Sequence, residues 1–551
     1  MEPAEKAKLF LVVHWRGVIS IVTPLLAIGI LLPLPAEDYE WCAYCLIVMA
    51  VFWVSECIPL AITSFIPVIV FPLTGVLNTS ETCKAYINDT MLMFIGSLIL
   101  AYAVEQSGLH KRLAYSTIRA IGYSHVKLLL AVCVATTFIS MWITNTAATT
   151  MMVPINFAIL GVFEQQKMMK IYEYDSSGEK IASDITTCYF CSVTYSATIG
   201  GTATLVGTAT NLAFKGLFMS TFPTAPEYLS FPKFSMFAIP CVILIELCMF
   251  AYMLVLFLGV LRPDSEAAKN AKLTKAGIAA AKQAVDEDFK KLGPITYWEW
   301  MVIILFGGAM IMFFCRSPQL FPGWGDKIEE YFEKEHRFIL DSSLAFLVGY
   351  LMLLLPANLS FFQNCTAKYG EDLTKQRVRS VLDWKTMITT MPYSFTFLLG
   401  GGFALSVAAK KTGLNEKIGA VLQKAESLPD IVVLLVIIIV VIIFTNFASN
   451  VAVCNVFAPI VMQLAKETGR NPLLYTLAAG VSASFTFLLP VGTPGNVIVQ
   501  SAASIPTRKM IIAGIGPTIT TAIIVWLGIY FWSPIIWPDI HEKPEWSAIM
   551  I

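Results

Sequence analysis

Apolar runs long enough to cross a bilayer dominate the chain. A membrane helix needs about 20 predominantly apolar residues. On that ruler, spans fall at roughly 17–35, 41–59, 61–77, 90–107, 186–216, 235–261, 299–315, 338–356, 386–408, 474–502 and 511–533. Two more apolar stretches, 128–163 and 431–465, are too long for one helix and polar at their centres. The first runs from Lys127 to Glu164 without a charge around Thr144-Asn-Thr-Ala-Ala-Thr-Thr150, and the second from Asp430 to Lys466 around Thr445-Asn-Phe-Ala-Ser-Asn450. Both read as helical hairpins that enter the membrane and return on the same side. The expected fold is an all-α polytopic membrane protein with about 11 transmembrane helices and two re-entrant hairpins.

The halves of the chain repeat. Gly108-Leu109 matches Gly413-Leu414, Asn145 matches Asn450, and Pro154-Ile155 matches Pro459-Ile460, each pair 305 residues apart. Gly207-Thr-Ala-Thr-Asn211 matches Gly492-Thr-Pro-Gly-Asn496 at an offset of 285, and an extra polar loop near 164–184 accounts for the difference. Five spans separate the hairpins, an odd number, so the second copy is inverted relative to the first. Inverted repeats with interrupted helices are the architecture of secondary transporters, whose site lies near the midplane where the breaks meet. The organisation expected is N-terminal scaffold helices (1–86), a first repeat with a hairpin and a broken helix (87–216), connecting helices (217–384), a second repeat (385–502), and a last helix with a tail (503–551).

Composition agrees. The 551 residues are 56% hydrophobic and 14% charged, with a mean hydropathy of +0.69, against about 25% charged in soluble domains. That excludes a water-soluble enzyme, a nucleic-acid binder and a disordered chain. Lys+Arg and Asp+Glu balance at 38 each, which argues for no polyanionic partner. The start, Met1-Glu-Pro-Ala-Glu-Lys-Ala-Lys8, does not read as a cleaved signal peptide. The 12 cysteines, including Cys42/Cys45 and Cys188/Cys191, read as small buried residues rather than ligands or redox pairs. The positive-inside rule puts the N-terminus and the loops 108–127, 262–296 and 508–509 in the cytosol and the C-terminus outside, against the objection of Lys410, Lys411, Lys417 and Lys424. The charged 262–296 loop, which includes Lys269 and Lys272, reads as a solvated linker.

The breaks hold Thr, Asn, Ser, Gly and Pro, with no carboxylate or histidine. Freed carbonyls, hydroxyls and Asn oxygens make a neutral cage suited to a hard cation, while the N-terminal ends of half-helices attract an anion. Close packing by small residues would explain one such stretch; it does not explain four in two matched pairs. All five histidines (His14, His110, His125, His336, His541) sit in or beside loops, whereas Glu56 and Glu246 lie within apolar spans. Buried structural pairing of these two glutamates is favoured over proton coupling. A membrane enzyme would need a nucleophile–base pair or a metal cluster, which the breaks lack, and closed hairpins favour occlusion over a continuous pore.

Ser140-Met-Trp-Ile-Thr-Asn-Thr146, Ile199-Gly-Gly-Thr-Ala-Thr-Leu-Val-Gly-Thr208, Leu399-Gly-Gly-Gly-Phe-Ala-Leu405 and Ser449-Asn-Val-Ala452 resemble the divalent anion/sodium symporters, the sodium-coupled dicarboxylate and citrate transporters. The resemblance extends over nearly the whole chain, including Asp89-Thr90, Leu109-His-Lys-Arg112 and Pro544-Glu-Trp546, and looks nearest to the animal INDY ("I'm not dead yet") branch.

The resemblance implies a first sodium site at Ser140, Thr144, Asn145 and Gly207, and a second at Thr445, Ala448, Asn450 and Gly492. It implies substrate carboxylates at Asn145, Thr146, Thr208, Asn450, Val451, Thr493 and Pro494. The chain departs from the family pattern at Thr144, Val451 and Gly495. The family's substrate-bearing part moves as an elevator against a dimeric scaffold, which implies a homodimer in lipid. Sodium is the expected coupling ion, no other cofactor is expected, and the plasma membrane is the default location. Sodium-coupled uptake of succinate, citrate and related acids leads, and a sodium-independent exchanger using the same pocket is the alternative. Pocket shape near 400–402 is the expected source of selectivity.

Overall fold

The computed structural model describes residues 3–547 except 33–34, 175–177, 266–267, 269–273, 335–337, 369–372, 374, 376 and 423–427, so Lys269, Lys272, His336 and Lys424 lie outside the described residues. The chain opens with α1 (Pro3–Ala27), α2 (Asp38–Ser55), α3 (Leu60–Thr63), α4 (Ile66–Thr74), α5 (Thr79–Tyr86), α6 (Asp89–Ser107) and α7 (Leu109–Ile121). Then α8 (His125–Ser140) and α9 (Asn145–Gln165) form the first helix pair, followed by α10 (Asp184–Gly201) and α11 (Ala209–Thr221) around a break. The middle comprises α12 (Phe231–Phe257), α13 (Lys275–Lys291), α14 (Tyr297–Arg316), α15 (Trp324–Tyr331), α16 (Asp341–Leu354), α17 (Phe361–Thr366) and α18 (Trp384–Thr390). Next come α19 (Ser394–Lys411), α20 (Leu414–Leu422), and the second pair, α21 (Asp430–Thr445) and α22 (Asn450–Glu467). A second broken helix, α23 (Pro472–Ser482) and α24 (Pro494–Ala503), precedes α25 (Thr507–Leu527) and α26 (Ser533–Ile536).

Among the described residues seven helices are long and apolar enough to span a membrane, or eight if the bent pair α18–α19 counts as one. The expected spans 61–77 and 338–356 are shorter helices, and 186–216 and 474–502 are broken. Proline explains the 58° bend between α18 and α19: Met391, just before Pro392, sits in the extended region (φ −66°, ψ 129°), as the proline ring requires. The fold also departs from all-α. The polar loop carries an antiparallel hairpin, β1 (Tyr172–Tyr174) with β2 (Lys180–Ala182), in register Tyr172 with Ala182. A backbone bond from Ala182 N–H to the Ser504 carbonyl docks it.

The bundle has two ends. At one, Arg112 bonds Glu299 at 3.0 Å, Arg119 meets Asp286 at 2.8 Å and Lys509 meets Asp184 at 2.7 Å. At the other, Lys411 meets Glu81 at 2.8 Å, Arg470 pairs with Asp430, and the Asn471 amide donates to the Asp539 carbonyl. Helix α6 spans the interval, and its 19 residues reach about 28 Å at 1.5 Å each. The α8–α9 pair therefore starts from the first end and the α21–α22 pair from the second. The segment expected as a solvated linker is partly structured: α13 packs on α7 and α9, and Arg112 also reaches the carbonyls of Leu292, Gly293 and Pro294.

The glycines at 400–402 form a helix-packing seam. A Cβ at Gly400 would meet the Tyr86 ring, at Gly401 it would meet Ser64, and at Gly402 it would meet the Asn455 amide. A buried charge cluster ties α11 to α14 and α16. Lys215 bonds Asp341 at 3.1 Å, and Arg316 bonds both Asp341 and Glu227, all four more than nine-tenths buried. Glu227 also lines a 940 Å³ cleft shared with Asp326, Glu330 and Lys334, well away from the helix breaks.

Candidate functional site

Each helix pair turns over four residues, 141–144 in the first and 446–449 in the second. Ser140, the last residue of α8, places its Oγ 2.6 Å from the Ala197 carbonyl and 2.9 Å from Asn145 Oδ1. Thr445, the last residue of α21, places its Oγ1 2.6 Å from the Ala483 carbonyl and 2.9 Å from Asn450 Oδ1. In each, one hydroxyl, one carbonyl and one Asn Oδ1 take matching places. A hydroxyl has a single proton, so in each cluster it faces two acceptors and can satisfy one. Oxygens outnumber protons, the condition under which a hard cation is the natural fourth member.

The second cluster is richer. Thr486 Oγ1 lies 2.9 Å from Asn450 Oδ1 and 3.3 Å from the Thr445 carbonyl, and Asn450 Nδ2 donates to the Ser484 carbonyl. The matched position in the first half, offset by 285, is Gly201, where a Cβ would stand 2.1 Å from Asn145 Oδ1.

The breaks are stapled by two asparagines. Asn211 Nδ2 donates to the carbonyls of Thr204 (2.7 Å) and Gly201 (3.3 Å). Asn496 Nδ2 donates to those of Leu489 (3.0 Å) and Thr486 (3.1 Å). These are carbonyls that interrupting a helix sets free, and at membrane depth each needs a donor. Each break is tied to the turn facing it: Thr204 Oγ1 donates to the Met141 carbonyl, and Leu488 N–H to Asn446 Oδ1.

Thr208 and Thr493 hold the N-cap positions of α11 and α24 in matched extended conformations (φ −143° and −148°), and neither side chain caps its helix. The Asn211 and Asn496 N–H groups turn back to the Thr208 and Thr493 carbonyls and Pro494 has none, so the first-turn N–H groups of Ala209, Thr210 and Gly495 are those left for an anion. The halves cross: α24 packs on α9 and α10, and α11 on α22 and α23. A Cβ at Gly495 would meet Thr149 of α9 at 3.1 Å, and the symmetric contact is Cys454 Sγ of α22 with the Thr210 carbonyl at 3.9 Å.

Of the predicted cation residues, Ser140 with Asn145 and Thr445 with Asn450 are brought together. Gly492 is packed against the second cluster, where a Cβ would stand 2.7 Å from the Thr445 carbonyl and 2.2 Å from Thr486 Cγ2. Gly207 is packed against Gly201, 2.5 Å from its carbonyl on the same construction. Thr144 caps α9 through the Ala147 N–H, and Ala448 is buried in the second turn. Of the predicted substrate residues, Thr146 is half-buried in the first turn of α9, Val451 is buried and Pro494 is exposed. Sequence reasoning gave no role to Thr204 or Thr486, nor to Asn211 and Asn496, although the 285-residue match of the two asparagines was itself the signal. Glu56 ends α2 in a left-handed conformation (φ 47°), and Glu246 bonds Ser196 rather than a base.

Gly201→Ala and Gly492→Ala are expected to displace the two clusters. The added methyl has no room without moving Asn145 in one case and a backbone carbonyl in the other. Stabilisation of the purified protein by a hard monovalent cation in a thermal melt should fall for both, more for Gly492→Ala, because a flexible amide yields more readily than backbone.

A polytopic helical bundle whose interrupted helices carry two matched, uncharged oxygen clusters beside paired helix N-termini is a membrane transporter. The family described as sodium:sulfate symporter transmembrane region matches residues 12–538, and the chain belongs to it. The chain is 37% identical to "Protein I'm not dead yet" of Drosophila melanogaster, covering all of this chain and 94% of that protein. It is 32% identical to "Sodium-dependent low-affinity dicarboxylate transporter 1" of Caenorhabditis elegans (92% and 88%) and 30% identical to the "Na(+)/citrate cotransporter" of Rattus norvegicus (98% and 99%). The resemblance read from the sequence is borne out: these relatives are transporters, and so is this protein, not an enzyme. The solved structure of the Alcanivorax borkumensis YdaH transporter aligns with a TM-score of 0.48 at 15% identity, covering 85% of this chain and 87% of that one.

Proposed function

We propose that this protein imports di- and tricarboxylates such as succinate and citrate by sodium-coupled symport across the plasma membrane. The observation that carries the reading is the matched pair of clusters in which oxygens outnumber protons, each beside a helix N-terminus. Relatives named for sodium-dependent dicarboxylate and citrate transport point the same way.

In this reading one sodium ion sits among Ser140, Thr144, Asn145 and Gly207, and another among Thr445, Ala448, Asn450 and Gly492. Substrate carboxylates meet Asn145-Thr146, Thr208, Asn450-Val451 and Thr493-Pro494. The cages are neutral, so bound cations supply the positive charge that a dianion needs at membrane depth. Their loss uncovers that charge and releases the substrate, which couples the two. Pairs α8–α9 and α21–α22 act as re-entrant hairpins among 11 spans. With α10–α11 and α23–α24 they move as an elevator against the scaffold of a homodimer, N-terminus cytosolic and C-terminus outside.

The test is uptake of labelled citrate and succinate into proteoliposomes, with and without an inward sodium gradient, at two voltages. Sodium-dependent, voltage-sensitive uptake is expected. Uptake that ignores sodium but accelerates with internal dicarboxylate would replace the reading with a carboxylate exchanger.

A further inference from the structure

Glu246 is the sixteenth residue of the 27-residue span α12. Its neighbours Ile243, Leu244 and Leu247 face outward, yet its carboxylate turns into the bundle: Oε1 accepts from Ser196 Oγ of α10 at 2.6 Å, and Oε2 is buried without a hydrogen-bond partner of regular geometry. The side chains of Thr137 and Cys133 on α8 stand around it. The buried pairing expected from sequence is here a bond to a hydroxyl, with no basic side chain beside it among the described residues. The titratable group facing the carboxylate is the Cys133 thiol, and among the described residues α8, α10, α14 and α25 bring no cation against it.

The position of this carboxylate is specific. Ser196 adjoins Ala197, whose carbonyl belongs to the first oxygen cluster, and Thr137 Oγ1 lies 3.5 Å from the Ser196 carbonyl. The second half has no counterpart. Cys133 and Thr137 are matched at offset 305 by Ile438 and Ile442, and Ser482, matching Ser196 at offset 286, has a buried hydroxyl with no partner. Among the described residues only the first cluster has an acidic wall.

An ionised carboxylate within a membrane span is costly even on the most lenient scale. It must be neutralised, by a proton or by a bound cation. We propose that Glu246, with the hydroxyls of Ser196 and Thr137, is a further monovalent-cation position beside the first cluster. It takes up a proton or a sodium ion and releases it on the other side, so each turnover carries one positive charge more than the two neutral clusters hold. Coupling at this position rests on the transport reading above; occupancy does not.

Limiting substrate accumulation at clamped zero voltage separates the sources, because one coupled cation contributes a factor of about ten for a tenfold gradient. Against wild type, Glu246→Gln should accumulate about tenfold less under a tenfold sodium gradient if sodium is the ion, or under a tenfold proton gradient if it is the proton. Equal accumulation under both gradients overturns the proposal. If Glu246→Gln does not accumulate substrate, or wild type does not, full-length protein in detergent decides. Its melting temperature against log sodium concentration, and against pH, reports the cations bound on folding. One of the two slopes should fall by one cation in Glu246→Gln; two unchanged slopes overturn the proposal.

Discussion

Alanine at Asn450 should reduce carboxylate uptake by at least about 100-fold, roughly 3 kcal/mol, with Asn145→Ala close behind. Asn450 Oδ1 accepts from two hydroxyls, Thr445 and Thr486, and its Nδ2 donates to the Ser484 carbonyl. Asn145 Oδ1 accepts from one hydroxyl, that of Ser140. Each hydroxyl or carbonyl left buried without its partner costs about 1–3 kcal/mol, and a bound cation loses an oxygen besides. Asn450→Asp sharpens the test. It keeps Oδ1 and adds a charge while giving up the donor to the Ser484 carbonyl, so sodium stabilisation in a thermal melt should rise while carboxylate affinity falls. Full transport by both alanine variants would remove these residues from the site.

Asp341→Ala should be the most destabilising single change in the buried charge cluster, costing about 3–5 kcal/mol as an uncompensated buried charge. Asp341 pairs with both Lys215 and Arg316, and removing it takes away the ion-pair partner of Lys215 and leaves Arg316 with Glu227. Lys215→Met should cost less, since Asp341 keeps Arg316 and the aliphatic replacement retains contact with Phe231, over whose ring the ammonium lies at 5.6 Å. Melting temperature in detergent and yield at the membrane measure both. A Lys215→Met defect as large as that of Asp341→Ala would contradict this account of the cluster.

The helix pairs were legible because their causes are local. An uncharged run too long for one span, with Thr-Asn-Thr or Ala-Ser-Asn at its centre, must turn back; the second turn, 446–449, falls within the predicted 445–450, whereas the first, 141–144, precedes most of the predicted 144–150, which opens α9. The bend before Pro392 was equally local in cause, yet 386–408 read as one continuous span because its apolarity masked the proline. The β1–β2 hairpin was missed in a loop whose length, but not conformation, the repeat offset had revealed.

The sequence by itself determined the residue-by-residue repeat, the neutral chemistry of the breaks and the family. These rest on residue type and spacing, which the chain states directly. Only the tertiary structure decided that Thr486 completes the second cluster while Gly201 leaves the first open. It alone also placed Asn211 and Asn496 across their breaks, paired Lys215 with Asp341 over 126 residues, and turned Glu246 toward Ser196 instead of a base. The reason is physical. A helix that is apolar all round shows no stripe to reveal which side faces a neighbour, so its few polar groups find partners only once the packing of the whole bundle fixes its rotation.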